Sequence, residues 1–282
     1  MTTTHSFLHP EHSTLMMDAS ALVTLMLANN ESGALQPIRE VAQYCRQQGI
    51  LMHVDAAQAV GKVSVDLNEL CHPDMMTVVG HKIGAPKGVA CLYIRPMCFE
   101  LETWNEEMKY MGLLLGGGQE FGLRAGTENV ASIVALGKAC ELCSINWKTN
   151  KMHMEKMRSL LLHELISLLG EDILRVNGPT DSSARLPNTL SISVKGVHSG
   201  ILLKSINRDV AISAGAACHS NGSNSSISHV LRAMKIPDDF ARGTLRLSIG
   251  PTTNEVEIRE AAVIIADAVK KFLASTLKMD HN

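Results

Sequence analysis

Near-continuous apolar runs of strand length recur in the first third of the chain, separated by stretches with helical or turn character. A helix pattern between the first two runs opens at Pro37 and stops at Gly49, because proline suits the first helical turn and glycine the residue after the last. Strands in which apolar and polar residues do not alternate, and which are separated by helices along the chain, are typical of a largely parallel α/β sheet covered on both faces. The runs are ALVTLMLA at 21–28, ILMHV at 50–54, MMTVV at 75–79 and VACLYI at 89–94.

The pattern of apolar and polar residues differs in the second half of the chain, where it predicts longer helices and shorter strands. Helical patterns cover 129–143 and 151–169, and the rest is typical of a smaller α+β domain. We therefore predict an irregular tail at 1–18, a partial large domain at 19–130 and a small domain at 131–282. Within the small domain the pattern predicts strands at 173–176, 190–194, 210–213 and 244–248, and helices at 199–206, 227–234 and 255–272.

Composition indicates a soluble globular protein and argues against several classes of partner. Of the 282 residues, 45% are hydrophobic and 19% are charged, which is ordinary for such a protein. A net charge of −2 and an aromatic content of 4% give no case for nucleic acid or an anionic membrane. No apolar run approaches the roughly 20 residues of a membrane span, and residues 1–18 lack the pattern of a secretory or transit peptide.

The cysteines indicate a reducing compartment. There are seven of them, without the spacing of a disulfide framework, which favours free thiols and a cytosolic location. Cys140 and Cys143 form a C-x-x-C pair within a helical stretch. A structural zinc site would need a second pair, so no metal is predicted.

Two strand ends carry the residue types that pyridoxal 5′-phosphate (PLP) requires. Lys82 follows the strand at 75–79 and Asp55 follows the strand at 50–54. A lysine amine can hold the cofactor aldehyde as a Schiff base, and a carboxylate can keep the pyridine nitrogen protonated. Ligands of open α/β sheets bind beyond the carboxyl ends of the strands, where burial would lower the pKa of Lys82. The alternatives are a solvated surface lysine and an aspartate that caps the following helix.

Polar residues near these positions are further candidates. Gln58, one turn after the aspartate, could donate to the phenolate oxygen of the cofactor, whereas His53 is assigned no more than a core or supporting role. Asn29 and Asn30 are either turn formers or contacts to the ring or the substrate. Arg246 lies inside a strand, and a buried arginine needs an anion, either a substrate carboxylate or a salt-bridge partner.

Two loops complete the set of candidates. Cys218 lies among small and polar residues in SAGAACHSNGS, which is typical of an exposed loop rather than a core thiol. It is either a nucleophile or proton donor on a flexible arm or an incidental surface cysteine. Arg124 and Thr127 follow a run of three glycines and could hold a phosphate, or their loop only bridges the domains.

Seven segments, taken in order, resemble the NifS-like cysteine desulfurases and selenocysteine lyases within the fold-type I, class V aminotransferase superfamily. They extend over nearly everything from about residue 20 to the end, and seven in register are far more specific than any one. The GGGQE and GAACHS segments lean toward the selenocysteine lyase branch. The segments are LMLANNESG (25–33), HVDAAQAVGK (53–62), VVGHKIGAPKG (78–88), GGGQE with RAGTEN (116–129), RLPNTLSIS (185–193), GAACHS (215–220) and LRLSIG (245–250).

The resemblance implies a role for each matched residue around the cofactor. Lys82 would form the Schiff base with PLP, and Asp55 would pair with the pyridinium nitrogen. Gln58 and Asn30 would contact the ring oxygen, and His81 would help to hold the phosphate.

The resemblance also implies roles in substrate binding and assembly. Asn30 and Arg246 would lie at the substrate, with Arg246 binding its carboxylate. Cys218 would act on the sulfur or selenium, by taking it as a persulfide or by protonating it as it leaves. Thr127 would reach the phosphate in the partner subunit, so a homodimer is expected.

The sequence departs from the family pattern in three places. Residues 1–24 hold no counterpart of the phosphate loop and ring-stacking histidine that the family carries before LMLANNESG. Val79 stands where many relatives have a phosphate-binding serine, and Gly84-Ala85 replaces an aromatic–glycine pair. The chain is therefore expected to correspond to the C-terminal two-thirds of such an enzyme, as a fragment, a transcript variant or a partial gene model. Its sheet would then have an exposed apolar edge, which favours aggregation.

The function implied by the resemblance is PLP-dependent removal of selenium or sulfur from L-selenocysteine or L-cysteine, giving L-alanine. A second hypothesis is a cysteine desulfurase that passes persulfide sulfur to a scaffold or acceptor protein. A third is a truncated, catalytically silent relative that dimerises or binds a partner.

Overall fold

The fold is described from a computed structural model, which describes residues 22–99, 114–214 and 227–279. The chain divides into two compact units. The N-terminal unit comprises residues 21–28 and 36–150, and the C-terminal unit includes residues 29–35 and 151–282. Such units are defined by contacts alone, so the domain division at residue 130 stays a prediction.

A four-stranded sheet forms the centre of the N-terminal unit. Its strands are β1 (Leu22–Met26), β2 (Leu51–Asp55), β3 (Met75–Val79) and β4 (Ala90–Ile94), and they lie in the order β1-β2-β3-β4. The first three are parallel, whereas β4 is antiparallel to β3. All four occur where the apolar runs predict them, and the expected parallel arrangement holds for three of them.

The register of the parallel strands brings their carboxyl ends to one edge of the sheet. Met26 in β1 pairs with Asp55 in β2, and Asp55 pairs with Thr77 in β3. The chain leaves β3 through a 3₁₀ turn, Gly80–Lys82. Since neighbouring strands lie about 4.8 Å apart, residues that follow β2 and β3 at this edge are close neighbours.

Helix α1 (Ile38–Gln47) follows β1 and contacts β2. It buries Ile38, Ala42 and Cys45, which recur at helical spacing along one face. The backbone leaves the helix through Gly49 at φ +66°, a left-handed conformation that favours glycine. The predicted helix and its glycine stop are confirmed.

Helix α2 (Val130–Leu169) is one continuous element of 40 residues. The prediction of two helices, 129–143 and 151–169, is wrong about the break. The linking residues SINWKTN contain neither glycine nor proline, so nothing in them stops a helix. The side chain of Asn146 donates to the Leu142 carbonyl at 3.0 Å, which accommodates its amide on the helix surface.

The two halves of α2 have different surroundings. In the second half Met154, Met157, Leu161 and Leu165 are buried in the core of the C-terminal unit. The first half carries exposed apolar side chains that we call the apolar stripe of α2. Its members are Val130, Val134, Leu142 and Ile145, with exposed fractions of 66%, 65%, 48% and 68%.

Among the described elements, α2 alone is long and apolar enough to cross a membrane by length and composition. This measure is weak evidence, because helices of soluble proteins meet it as well. The expectation that the chain has no membrane partner therefore stays a prediction.

The C-terminal unit has a three-stranded antiparallel sheet, in the order β5 (Leu174–Val176), β6 (Thr189–Val194) and β7 (Thr244–Ser248). Every residue of β6 is buried. The predicted strand at 210–213 is reduced to an isolated bridge between Ser213 and Arg246. The helices of this unit besides α2 are α3 (Ser199–Ile206), α4 (His229–Ala233), α5 (Asp238–Ala241) and α6 (Glu255–Met279).

A close backbone approach fixes the start of β7. A Cβ atom at Gly243 would lie 2.0 Å from the carbonyl oxygen of Val194. Only glycine allows Val194 to donate its N–H to the Gly243 carbonyl at 3.1 Å. This contact positions β7, and with it Arg246, beside β6.

Candidate cofactor site

Asp55 ends β2 at the carboxyl edge of the sheet. Its Oδ1 accepts a hydrogen bond from the N–H of Ala57 at 2.9 Å, so the carboxylate caps the following turn. Among the described residues Oδ2 accepts no hydrogen bond, which leaves it available to another donor. Capping and cofactor binding, set out above as alternatives, are therefore compatible.

His53 lies two residues earlier and shares the sheet face of Asp55. Its ring nitrogens lie 2.7 Å from the Thr24 hydroxyl and 2.8 Å from the Thr77 hydroxyl. Burial lowers the pKa of His53, and the nearby charge of Asp55 opposes this effect. A neutral imidazole thus joins three parallel strands below Asp55, in line with the supporting role expected for it.

Lys82 and His81 lie in the 3₁₀ turn that follows β3. A Cβ atom at Gly80 would lie 2.7 Å from the Val89 carbonyl oxygen, which accepts the Gly80 N–H at 3.1 Å. Glycine therefore allows the chain to turn tightly and present Lys82 at the sheet edge. Both Lys82 and His81 are exposed, so the predicted burial of Lys82 is wrong for the described residues.

Gln58 lies in the turn between Ala56 and Lys62 and is partly buried. Lys62 donates from Nζ to the main-chain oxygen of Gln58 at 3.0 Å. Burial, followed by the charge of Lys82, lowers the pKa of Lys62 to about 8, while the thiol of Cys143 acts in the opposite direction. Sequence reasoning missed Lys62. Its one signal is the spacing of four residues from Gln58, which places both on one side of a helical turn.

In the C-terminal unit, Arg246 is placed in β7 opposite Ser191 of β6. It donates from Nη1 to the carbonyl oxygen of Asn30 at 2.8 Å. Its Nε is buried and has no hydrogen-bond partner among the described residues. No carboxylate there forms an ion pair with it. A partly buried guanidinium whose buried Nε is an unused donor fits an anion such as a carboxylate.

Asn29 and Asn30 have different surroundings. The Oδ1 of Asn29 accepts hydrogen bonds from the N–H groups of Glu31 and Ser32 at 3.0 and 2.9 Å, and from the Ser32 hydroxyl at 3.1 Å. Its side chain is thus a turn former. Asn30 is partly buried and is fixed through its carbonyl group to Arg246.

The remaining candidates are the loop residues Arg124, Thr127 and Cys218. Thr127 is exposed, and Arg124 donates to the Gly126 carbonyl at 3.1 Å. Cys218 lies outside the described residues. Within the described ranges no group of three histidine, cysteine or acidic residues could hold a metal ion. Cys140 and Cys143 are free thiols whose pKa values are raised, chiefly by burial.

Two groups at the sheet edge fit the aldehyde and the ring nitrogen of a PLP molecule. Lys82 presents an amine for the aldehyde, and Asp55 Oδ2 is available for a ring nitrogen that carries a proton. His81 is the neighbouring candidate for the phosphate. Val79 contributes no hydroxyl there, so His81 is the one side-chain candidate for the phosphate in the segment Val79–Lys82.

Fold and site together define a class of protein. The chain belongs to the class-V aminotransferase family, whose model, described as Aminotransferase class-V, matches residues 4–260. Members of this family depend on PLP and have fold type I. The resemblance and the fold class predicted from the sequence are confirmed.

Several individual relatives have names that are more specific than the family description. The chain is 39% identical over 264 residues to a cysteine desulfurase of Nostoc sp., a match that covers 93% of this chain and 62% of that protein. It is 36% identical over 255 residues to the cysteine desulfurase IscS of Clostridium botulinum, covering 90% and 60%. A solved NifS-like protein superposes with a TM-score of 0.74 at 31% identity, covering 89% of this chain and 61% of that one.

The chain therefore spans about three-fifths of the length of these relatives. The fold of the described residues is shared with them. The activity, substrate and partners of the whole relatives do not follow from that.

Proposed function

We propose that this protein removes sulfur or selenium from L-cysteine or L-selenocysteine with the aid of PLP and releases L-alanine. The observation that carries the proposal is the position of Asp55 and Lys82 at the carboxyl ends of two adjacent parallel strands. Two relatives that are named cysteine desulfurases, each matching 90% or more of this chain, favour the same chemistry.

The proposed cofactor-binding roles fall to residues of the N-terminal unit. PLP, when bound, supplies an aldehyde and an electron-accepting ring. Lys82 Nζ would hold the aldehyde end of the cofactor, and the same amine would move the α-proton of the substrate. Asp55 Oδ2 accepts the N–H of the ring, and Gln58 donates to the ring oxygen. His81 and, from the partner subunit of a homodimer, Thr127 are proposed to hold the phosphate.

Substrate binding is proposed to rest on Arg246. Its carbonyl contact with Asn30 orients the guanidinium, and its unused Nε is a donor for an α-carboxylate. Asn30 is proposed to lie beside the substrate. Cys218 is proposed to take the sulfur as a persulfide or to protonate the departing selenium. An acceptor protein would then receive the sulfur or selenium, and we propose the cytosol as the location.

The choice between selenium and sulfur is a finer proposal. The GGGQE and GAACHS segments lean toward selenocysteine, whereas the named relatives act as cysteine desulfurases. Alanine release should be measured from both amino acids at equal concentration. Turnover of cysteine with a persulfide on Cys218 favours sulfur transfer, and turnover of selenocysteine alone favours the lyase.

A second candidate function is that of a catalytically silent relative that dimerises or binds a partner. One observation favours it: both Lys82 and His81 are exposed. PLP titration separates the candidates. The enzyme should develop the visible absorbance band of a lysine–PLP conjugate.

The matched control is Lys87, an exposed lysine five residues further along. Lys82→Ala should abolish the band, and Lys87→Ala should leave it unchanged. If the wild-type chain develops no band, or if both variants keep it, the catalytic proposal is abandoned.

A further inference from the structure

The edge of β7 that faces away from β6 is incompletely paired. Ser213 and Arg246 exchange both main-chain hydrogen bonds, at 3.3 and 2.7 Å, and form the isolated bridge described above. In an antiparallel pair the next such exchange would join Ala211 to Ser248. Among the described residues no main-chain hydrogen bond joins these two. The segment 209–212 therefore leaves β7 beyond the bridge.

Ser248 faces the resulting gap with its main chain. Ile249 donates its N–H to the Asn188 carbonyl on the β6 side at 2.9 Å, and the main-chain groups of consecutive strand residues point to opposite edges. The N–H and C=O of Ser248 thus point away from β6, and neither has a main-chain partner in the described part of the chain. An unpaired strand edge can bind a donor or an acceptor from outside.

A cavity of about 430 Å³ is lined by the segment 209–212, the end of β7 and the first turns of α6. Small-molecule sites usually have volumes of about 300–1,000 Å³ and apolar walls. Much of this lining is apolar as well, and its largest buried members are Leu161, Leu247, Ile249, Ile258 and Ile265. Volume and lining together are those of a site for a small apolar group.

The same cavity has an acidic side. Asp209, Glu257 and Glu260 line it, and all three are exposed. No ion pair among the described residues uses any of them. The lining that the structure describes includes no lysine, arginine or histidine, and Arg259, which precedes Glu260, pairs with Glu164 instead. Three uncompensated carboxylates beside an apolar wall attract a positive charge.

We propose that this cavity binds an amphipathic organic cation, that is, an apolar chain or ring with an ammonium group at one end. The apolar part packs against the leucines and isoleucines of the lining, and the ammonium group lies on the side of the carboxylates. The free Ser248 carbonyl is a further acceptor for it. A carboxylate at the same end of the ligand is excluded by repulsion from the three acids.

Three probes that share an unbranched six-carbon chain test the charge requirement: hexylammonium, hexanol and hexanoate. Titrations are followed by NMR of isoleucine methyl groups in the purified chain. Hexylammonium should shift the signals of Ile212 and Ile264, which line the cavity, and leave that of Ile38 in the N-terminal unit unchanged. Its dissociation constant should be about tenfold lower than that of hexanoate, with hexanol between them. Added salt should narrow this difference.

Variants of the lining separate the two halves of the proposed site. Asp209→Asn combined with Glu260→Gln removes two charges and preserves side-chain shape, so hexylammonium should bind about as weakly as hexanol while hexanol itself is unaffected. The matched control is Asp267→Asn, an exposed aspartate of α6 outside the lining, which should leave all three dissociation constants unchanged. Ala261→Leu narrows the cavity and should weaken all three probes. Thermal unfolding shows whether that variant is folded, and the surface double variant decides the matter if it is not.

Three results would overturn the proposal. The first is equal affinity for hexylammonium and hexanoate, or no shift of the cavity signals by any probe. The second is an unchanged affinity for hexylammonium in the double variant. The third is a set of shifts spread over the apolar stripe of α2, which would indicate non-specific association. None of these readouts involves PLP or alanine release, so this inference and the proposed function stand or fall separately.

Discussion

Arg246 donates from Nη1 to the carbonyl oxygen of Asn30 over 2.8 Å, although 216 positions separate the two residues along the chain. The main chain thus orients the guanidinium without neutralising its charge. Its buried Nε remains unused among the described residues. An arginine held in this way can bind a planar anion at little reorganisation cost.

The substitution Arg246→Lys should therefore impair substrate binding more than the chemical step. Lysine preserves the charge but removes Nε and the fork geometry. We expect KM for cysteine to rise about tenfold, equivalent to about 1.4 kcal/mol, with a smaller change in kcat. Steady-state alanine release measures both constants. Arg175→Lys on the exposed side of β5 is the control, and equal effects of the two substitutions would contradict the assignment.

Asp55 allows its capping and charge effects to be separated. Asp55→Asn keeps an Oδ1 that can accept the Ala57 N–H, so stability should change little. Asp55→Ala loses the cap and should lower the free energy of unfolding by about 1 kcal/mol. Both variants should lose the charge that stabilises a protonated pyridine ring, and with it at least about 100-fold in alanine release. Urea unfolding and the alanine assay are the measurements.

The result that would count against this reading is full activity in Asp55→Asn. In that case the carboxylate would serve the turn and not the cofactor.

His53 should make stability fall as the solution becomes acidic. Its pKa in the folded state is lowered by burial below the ordinary value of 6.5. Above pH 6.5 the folded and unfolded states both hold a neutral ring and no difference arises. Below it the unfolded state takes up the proton first, so the free energy of unfolding decreases as the pH falls toward the lowered pKa. Urea unfolding at pH 7.5 and 5.5 should show a larger decrease for the wild type than for His53→Gln.

Glutamine is the suitable replacement because its amide can still bond both threonine hydroxyls. Equal pH dependence in the two proteins would show that other groups dominate.

Two glycines should respond to alanine in opposite directions. Gly243→Ala places a Cβ atom 2.0 Å from the Val194 carbonyl oxygen, so β6 and β7 must separate. We expect a loss of about 3 kcal/mol in the free energy of unfolding. Gly137→Ala, within α2, meets no atom within 4 Å and should stabilise the helix by up to about 1 kcal/mol. Thermal unfolding of both variants is the check, and destabilisation by Gly137→Ala would contradict the continuous helix.

The sequence predicts local structure well where the signal itself is local. The runs at 75–79 and 244–248 match β3 and β7 residue for residue, since an apolar run between turn residues has few alternatives. The strand expected at 210–213 fails because its neighbour β7 pairs with it only at Ser213. Pairing depends on the partner strand, and the partner is not encoded in the run.

The candidate site shows the same limit. Asp55, Gln58 and Lys82 are found at the sheet edge because strand ends can be read from the pattern. The lowered pKa of Lys62 could not be predicted, because it depends on burial and on Lys82 and Cys143, which lie 20 and 81 positions away (82 − 62 and 143 − 62). Only the folded chain brings these three together.

The apolar stripe of α2 has a consequence for anyone who handles this polypeptide. Val134 and Ile145 expose about two-thirds of their side chains to water. Burial of such a surface against another apolar surface is favourable, so it promotes association. The rate of collisions between molecules rises with the square of the protein concentration, so losses by aggregation should increase as the sample is concentrated. Dilute samples, mild detergent or a glutamate at either position should keep the material in solution.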